Sequence, residues 1–371
     1  MTEPHQVSGI GAANLAGFRL VTLCGSVGSK YDAMRDYQDI LEPLLSARGM
    51  DVRPVDLGDW SLVTMPRVLA AIAGHRPDGI LMQYPTFAFG HSLGPVGLGM
   101  VQRIAPIMVM LHEFVAAHVL RKAAVGALLL RADRIGVTAK REREYLCRWY
   151  PWLKSRINTI PIASNIPGRA WTPVRPPRVV YFGQLRPEKG IEEFIAYKHR
   201  IATKVPEAVF QIIGAVVPSQ AEYAKSVHAA AAAQGIDVIL DLERDEVAAA
   251  LAMATVALLP FPGGASPRRG SLLAASACGV PIVTKIGDDT PPELLPYLET
   301  ACSDDELISL TVRYLQDEEA RVRSHRRSTQ LDRWIGWEET VDLYIRVFRE
   351  FLTMGGAKTS SEFVLRRGDK S

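Results

Sequence analysis

The sequence predicts an α/β chain built from two Rossmann-like, doubly wound domains. Three observations carry this. Short apolar runs alternate with longer amphipathic stretches along nearly all of the 371 residues. The runs lack polar alternation, so both faces of each strand should be covered, as in a parallel sheet. A stretch holding Pro161, Pro167, Pro173, Pro176 and Pro177 divides the series in two, and neither a helix nor a central strand tolerates that density of proline.

The first series places strands at Arg19–Cys24, Val52–Leu57, Gly79–Tyr84, Ile107–Leu111, Arg134–Thr138 and Ile157–Ile162. Helical segments lie between them. One is Tyr31–Gly49, which closes on a glycine stop signal. The second series places strands at Arg178–Phe182, Val209–Ile213, Asp237–Leu240, Val256–Leu259 and Pro281–Thr284. The order β, α, β, α on both sides of one joint gives domains at residues 1–172 and 173–335. Open α/β sheets bind ligands at the carboxyl ends of their strands, and two such sheets on a short linker are expected to face those ends into a shared cleft. Apolar residues at helical spacing over Trp334–Met354 predict an amphipathic helix. The polar segment 355–371 is expected to be disordered.

Bulk properties exclude several classes. The charged fraction is 22% and the formal net charge only +3, too mild for a dedicated nucleic-acid binder. Cys24, Cys147, Cys278 and Cys302 form no CxxC pair and sit beside no histidine at metal-ligand spacing. No disulfide framework, structural zinc or other metal is expected, and a reducing cytoplasm is the expected compartment. The first 17 residues lack a basic region followed by an apolar run, so no signal peptide is expected. The longest apolar candidate, Pro95–Leu111, is interrupted by Arg103 and two prolines, so no spanning helix is expected either.

Four stretches carry candidate chemistry. In Tyr181–Gly190 a strand is expected to end at Phe182, Gly183 to turn the chain, and Pro187 to lead into a helix. That puts Arg186 and Lys189 at the mouth of a strand-to-helix turn, a plausible pyrophosphate site; two solvated surface cations are the competing reading. In Phe261–Pro281 a glycine-rich loop brings Arg268, Arg269, Gly270 and Ser271 to the start of an alanine-rich helix. Exposed amides, a helix dipole and two arginines make a generic anion site. In the first domain, Gly25, Ser26 and Gly28 lie in a loop after the first strand that is neither GxGxxG nor Walker A, and a tight turn explains it equally. His112 and Glu113 follow a buried strand, where catalytic groups are held rigidly, although a lone histidine there also serves in a core.

Together these stretches resemble the group-1 family of retaining glycosyltransferases, which have the GT-B fold. The resemblance rests on Val180-Tyr-Phe-Gly, Arg186-Pro-Glu-Lys-Gly190, Leu258-Leu-Pro-Phe-Pro-Gly263 and Ala277-Cys-Gly-Val-Pro-Ile-Val283, with His112-Glu113, Ile160–Pro167 and Trp337-Glu338 in support. It covers Phe18–Leu352. It implies transfer of a sugar, hexosyltransferase-like, from a nucleotide-diphosphate donor held by the second domain to an acceptor held by the first. It implies that Lys189 binds the diphosphate, that His112 lies over the donor sugar, and that the helix over 336–354 crosses back onto the first domain. No metal and no cofactor are implied, since basic side chains neutralise the leaving group. The implied acceptors are saccharide, lipid-linked or small-molecule, in polysaccharide or glycoconjugate biosynthesis.

The chain departs from the family at three positions. Gln184 stands where an arginine is usual, and Ser266 and Ala274 stand where two donor-site glutamates are usual. An Arg-Arg-Gly-Ser stretch like that of residues 268–271 occurs in a subset of the family, which this chain resembles. A second reading follows from the missing glutamates: a non-catalytic GT-B homologue acting as a binding partner. A third, a dinucleotide oxidoreductase, lacks GxGxxG with an acidic residue about 20 positions on. Arg131, Arg134, Lys140, Arg141, Arg143 and Arg148 near Leu128–Leu130 and Trp149–Trp152 add an expected peripheral contact with anionic lipid at the inner membrane face.

Overall fold

Strands made of continuous apolar residues need cover on both faces, and the structure, a computed structural model, provides it twice. It describes residues 15–25, 33–55, 60–84, 92–101, 104–112, 114–115 and 117–365. The chain divides into one unit of Met1–Ile160 with Val341–Ser371 and another of Pro161–Thr340. Among the described residues no helix is long and apolar enough to cross a membrane.

In the first unit the elements run β1 (Arg19–Cys24), α1 (Ala33–Ala47), β2 (Asp51–Val55), α2 (Met65–Gly74), β3 (Gly79–Tyr84), α3 (Gly94–Val101), β4 (Ile107–Leu111), α4 (Val119–Arg131), β5 (Arg134–Val137), α5 (Lys140–Trp149) and β6 (Ile157–Thr159). All strand pairs are parallel, in the order β2-β1-β3-β4-β5-β6. β3 and β4 are buried at every position. Val21, Leu23, Ile80, Met82, Val109 and Leu111 form the centre of one apolar cluster.

The second unit runs β7 (Arg178–Leu185), α6 (Ile191–Ala202), β8 (Val209–Val216), α7 (Ala221–Ala233), β9 (Asp237–Leu240), α8 (Arg244–Ala252), β10 (Val256–Leu259), α9 (Gly270–Ala277), β11 (Ile282–Lys285), β12 (Glu299–Ala301), α10 (Asp304–Gln316) and α11 (Glu318–Ile335). Its sheet is also parallel, in the order β12-β11-β10-β7-β8-β9. Val180, Tyr181, Phe194, Phe210 and Leu258 lie in its core.

Several strand readings need correction, among them β6, which stops at Thr159 rather than Ile162, and β8, which runs on to Val216 rather than ending at Ile213. β7 does not end at Phe182 with a turn at Gly183; it continues to Leu185. The cause is its partner: Gly183 pairs with Gly214, Gln184 with Ala215 and Leu185 with Val216, so the ladder stays closed beyond the apolar run. β12 was not anticipated, because its three residues, Glu299-Thr300-Ala301, are too few and too polar to stand out.

The last helix, α12, spans Trp337–Leu365 and so runs past Met354, where the apolar pattern stops. Its first residues belong to the second unit: Trp337 Nε1 donates to Ser164 O at 2.7 Å and Thr340 Oγ1 to Pro161 O at 3.3 Å. From Val341 onward it belongs to the first unit, where Val341, Tyr344, Phe348 and Phe351 are buried at helical spacing. Phe348 stacks on Phe18 with centroids 6.1 Å apart, and Asp342 and Glu350 pair with Arg48 and Arg134.

Candidate functional site

In a doubly wound sheet the loops after the strands flanking the reversal of strand order form the natural ligand crevice. In the second unit that point lies between β7 and β10. The two loops leaving it are the two basic stretches singled out in the sequence.

The loop after β7 turns sharply. Arg186 N bonds to Gln184 O at 3.0 Å, Glu188 has φ of 65° and Gly190 has φ of 85°. A Cβ on Gly190 would sit 2.3 Å from Pro260 O, so only glycine lets this loop touch the end of β10. Tyr181 Oη donates to Lys189 O at 3.1 Å and anchors the loop from beneath. Lys189 is half-buried and Arg186 exposed.

The loop after β10 is pinned to the neighbouring loop after β11. Gly264, with φ of 84°, would drive a Cβ to 2.3 Å from Gly287 N, and Asp289 N donates to Gly263 O at 3.0 Å. Arg269 N donates to Ser266 O at 2.9 Å, and the Arg269 guanidinium lies over the Phe261 ring at 4.8 Å. α9 then begins with no side-chain cap and no acidic residue in its first turn. Its first amides therefore remain available to an anion. α6 differs, since Glu192 and Glu193 occupy its first turn and already answer its dipole.

The charges confirm crowding. Burial lowers the Lys189 pKa to about 8, with repulsion from Arg186 and Arg269 adding to it. Burial likewise lowers that of Arg269, opposed by Asp289, with Arg186 and Arg268 repelling it. Arg186, Lys189, Arg268 and Arg269 are thus brought together, with Gly270 and Ser271 at the head of α9. Sequence reasoning missed Asp289, whose Oδ2 is 3.8 Å from Arg269 Nη2, and Phe261 as a platform for Arg269. The Gly287-Asp-Asp-Thr turn composition marks a loop there but does not say where it folds. Of the two departed positions, Ser266 Oγ accepts from Arg268 N at 3.4 Å, while Ala274 is fully buried in the apolar core.

In the first unit, Gly25 is buried just past β1, and Ser26, Gly28 and Glu113 lie outside the described residues. His112 follows β4 and is 3% exposed. Its Nε2 is 2.7 Å from Oε1 of Gln83, a fully buried residue of β3, and the Tyr37 ring meets it edge-on at 5.9 Å.

Residues 176–303, from just before β7 to just after β12, match the family model described as glycosyl transferases group 1. The match contains all six basic-loop residues. No curated protein matches the sequence. Among solved structures, the Anabaena protein HepE, in complex with UDP and glucose, aligns with a TM-score of 0.61 at 14% identity, over 90% of this chain and 99% of that one. An α,α-trehalose-phosphate synthase (UDP-forming) from Burkholderia vietnamiensis aligns at 0.61 and 12%, over 92% and 99%. The catalytic domain of starch synthase IV from Arabidopsis thaliana, bound to ADP and acarbose, aligns at 0.62 and 11%, over 91% and 100%. The chain has the GT-B fold. In GT-B terms, the matched segment is the second Rossmann-like unit with its basic loops, and α12 is the C-terminal helix.

Proposed function

We propose that the protein is a retaining glycosyltransferase. It moves a sugar from a nucleotide-diphosphate donor to an acceptor hydroxyl without a metal ion. The observation that carries this is the group of four cations at the reversal point of the second sheet, beside the uncapped start of α9. The match of that segment to glycosyl transferases group 1 supports it, and so do the UDP and ADP of the structurally similar proteins.

On this reading Arg186, Lys189, Arg268, Arg269 and the amides of Gly270 and Ser271 hold the diphosphate and stabilise it as it leaves. The bond from the anomeric carbon to the phosphate oxygen breaks, and a bond from that carbon to the acceptor oxygen forms on the same face. The acceptor proton passes to the departing phosphate. The loop from Pro262 to Ser271 offers no carboxylate nucleophile, and Asp289 beside it is engaged by Arg269. In the first unit His112 and Glu113 are the candidate catalytic residues, with Gly25, Ser26 and Gly28 as the candidate acceptor loop. The test is product stereochemistry by NMR with a panel of nucleotide sugars, with and without a chelator. A retained product formed in chelator supports the proposal; an inverted product, or a sugar trapped on Glu113, overturns it.

The acceptor end of the reading includes contact of a cytoplasmic protein with an anionic membrane at its inner face. Leu130, Trp149 and Trp152 are 53%, 62% and 62% exposed, with Arg131 and Arg148 exposed beside them in sequence. The patch is narrower than the sequence suggests: Leu128 and Leu129 are buried in the core and Arg134 is paired with Glu350. Flotation with anionic vesicles at low salt, lost in Trp149→Ser with Trp152→Ser, supports the contact; no flotation at low salt overturns it.

A further inference from the structure

The first unit holds a buried polar chain that joins three distant parts of the sequence. His112 Nε2 lies 2.7 Å from Gln83 Oε1, and Gln83 Nε2 donates to the Tyr344 hydroxyl at 3.4 Å. Gln83 and Tyr344 are fully buried, and His112 nearly so. Burial pushes the Tyr344 pKa up to about 12, so its hydroxyl remains neutral. β3, the end of β4 and α12 each contribute one member.

We propose that Gln83, steadied by Tyr344 of the C-terminal helix, is a positioning residue that keeps the proton of His112 on Nε2. A side-chain amide has one end that only accepts and one that only donates. The donating end faces Tyr344 and the carbonyl end faces the imidazole, and a carbonyl binds Nε2 only when that nitrogen carries hydrogen. The 2.7 Å separation is that of a strong N–H···O bond. The ring's acceptor lone pair is then on Nδ1, the form suited to a hydroxyl-bearing ligand. At this depth no solvent competes with the amide for the Nε2 proton. The functional half of the inference rests on the role given to His112 above; the tautomer itself does not.

The experiment is imidazole nitrogen NMR of the full chain labelled at histidine. The expected result is an Nε2–H signature for His112 in the parent. Gln83→Met keeps the volume and removes the acceptor, and should convert His112 to Nδ1–H or a mixture. Gln83→Glu keeps the acceptor and should preserve Nε2–H. If Gln83→Met does not fold, Tyr344→Phe frees the amide to flip and should give the mixture. An Nδ1–H parent, or a tautomer unmoved in Gln83→Met and Tyr344→Phe, overturns the proposal. In a transfer assay Gln83→Met should lower kcat by about three- to tenfold, the worth of one neutral hydrogen bond, with the donor KM unchanged. A parent with the Nε2–H signature but no transfer activity would defeat the glycosyltransferase reading and leave this one standing.

Discussion

The two halves of the candidate machinery are built in opposite ways. In the second unit the basic residues are exposed or half-buried, they come from two short stretches, and backbone contacts at Gly190 and Gly264 hold their loops. In the first unit one histidine is almost fully buried, and side chains far away in sequence hold it. Charge collected on glycine-shaped loops suits a ligand that brings its own negative charge and can be captured from water. A buried ring held by a buried amide suits a contact whose geometry, rather than charge, matters. Damage to packing should therefore cripple the first half and spare the second, and damage to charge should do the reverse.

The largest effect should come from Phe348→Ala. It empties a fully buried site between Phe18, Tyr344 and Phe351, and should cost about 3–5 kcal/mol of stability in the first unit. Denaturant unfolding measures this. Nucleotide-diphosphate affinity should persist in any folded Phe348→Ala protein; a loss of affinity there would break the contrast. Next, Gly190→Ala forces a side chain into a left-handed position and against Pro260 O. Strain of about 1–3 kcal/mol, with displacement of the Lys189 loop, should lower both melting temperature and nucleotide affinity. A variant of normal stability and affinity would show that the close contact is dispensable.

A pH series sharpens the contrast further. The folded pKa of Lys189, near 8, lies below the 10.5 of an unperturbed lysine. Between these values the unfolded chain binds more protons, so this group makes stability rise with pH from about 8 to 10.5. Affinity should move the opposite way, because Lys189 loses its charge above pH 8 while the diphosphate remains anionic. Calorimetry near pH 8.5 should show proton uptake on binding, and affinity that stays flat from pH 7 to 10 would contradict it. The smallest effect belongs to Asp289→Asn. Its pairing with Arg269 is partly exposed and worth at most about 1 kcal/mol. Nucleotide-diphosphate affinity should hold or rise a few-fold; a tenfold fall would give Asp289 a contact with the ligand.

This contrast also explains what the sequence could reveal. The fold and most strands were legible because each apolar run is local. The basic loops were legible because Arg186 and Lys189, and Arg268 to Ser271, are each contiguous. β7 was read three residues short, since what extends it is the facing backbone of β8 rather than any residue of its own. Asp289 escaped because it reaches Arg269 from a loop beyond β11, and Gln83 because its partners stand 29 and 261 positions away. A lone glutamine in an apolar strand carries no periodic signal; only the fold shows what it holds.

The central claim is that the second unit captures a nucleoside diphosphate through its basic loops. Titration of UDP, ADP and GDP into the full chain and into Lys189→Ala tests it most directly. Removal of one charge-assisted contact should cost about 1.5–3 kcal/mol, or roughly ten- to a hundredfold in Kd for the nucleotide that binds, with the melting temperature of the free protein little changed. Equal affinity in parent and variant, or no binding of any of the three by the parent, would contradict the account.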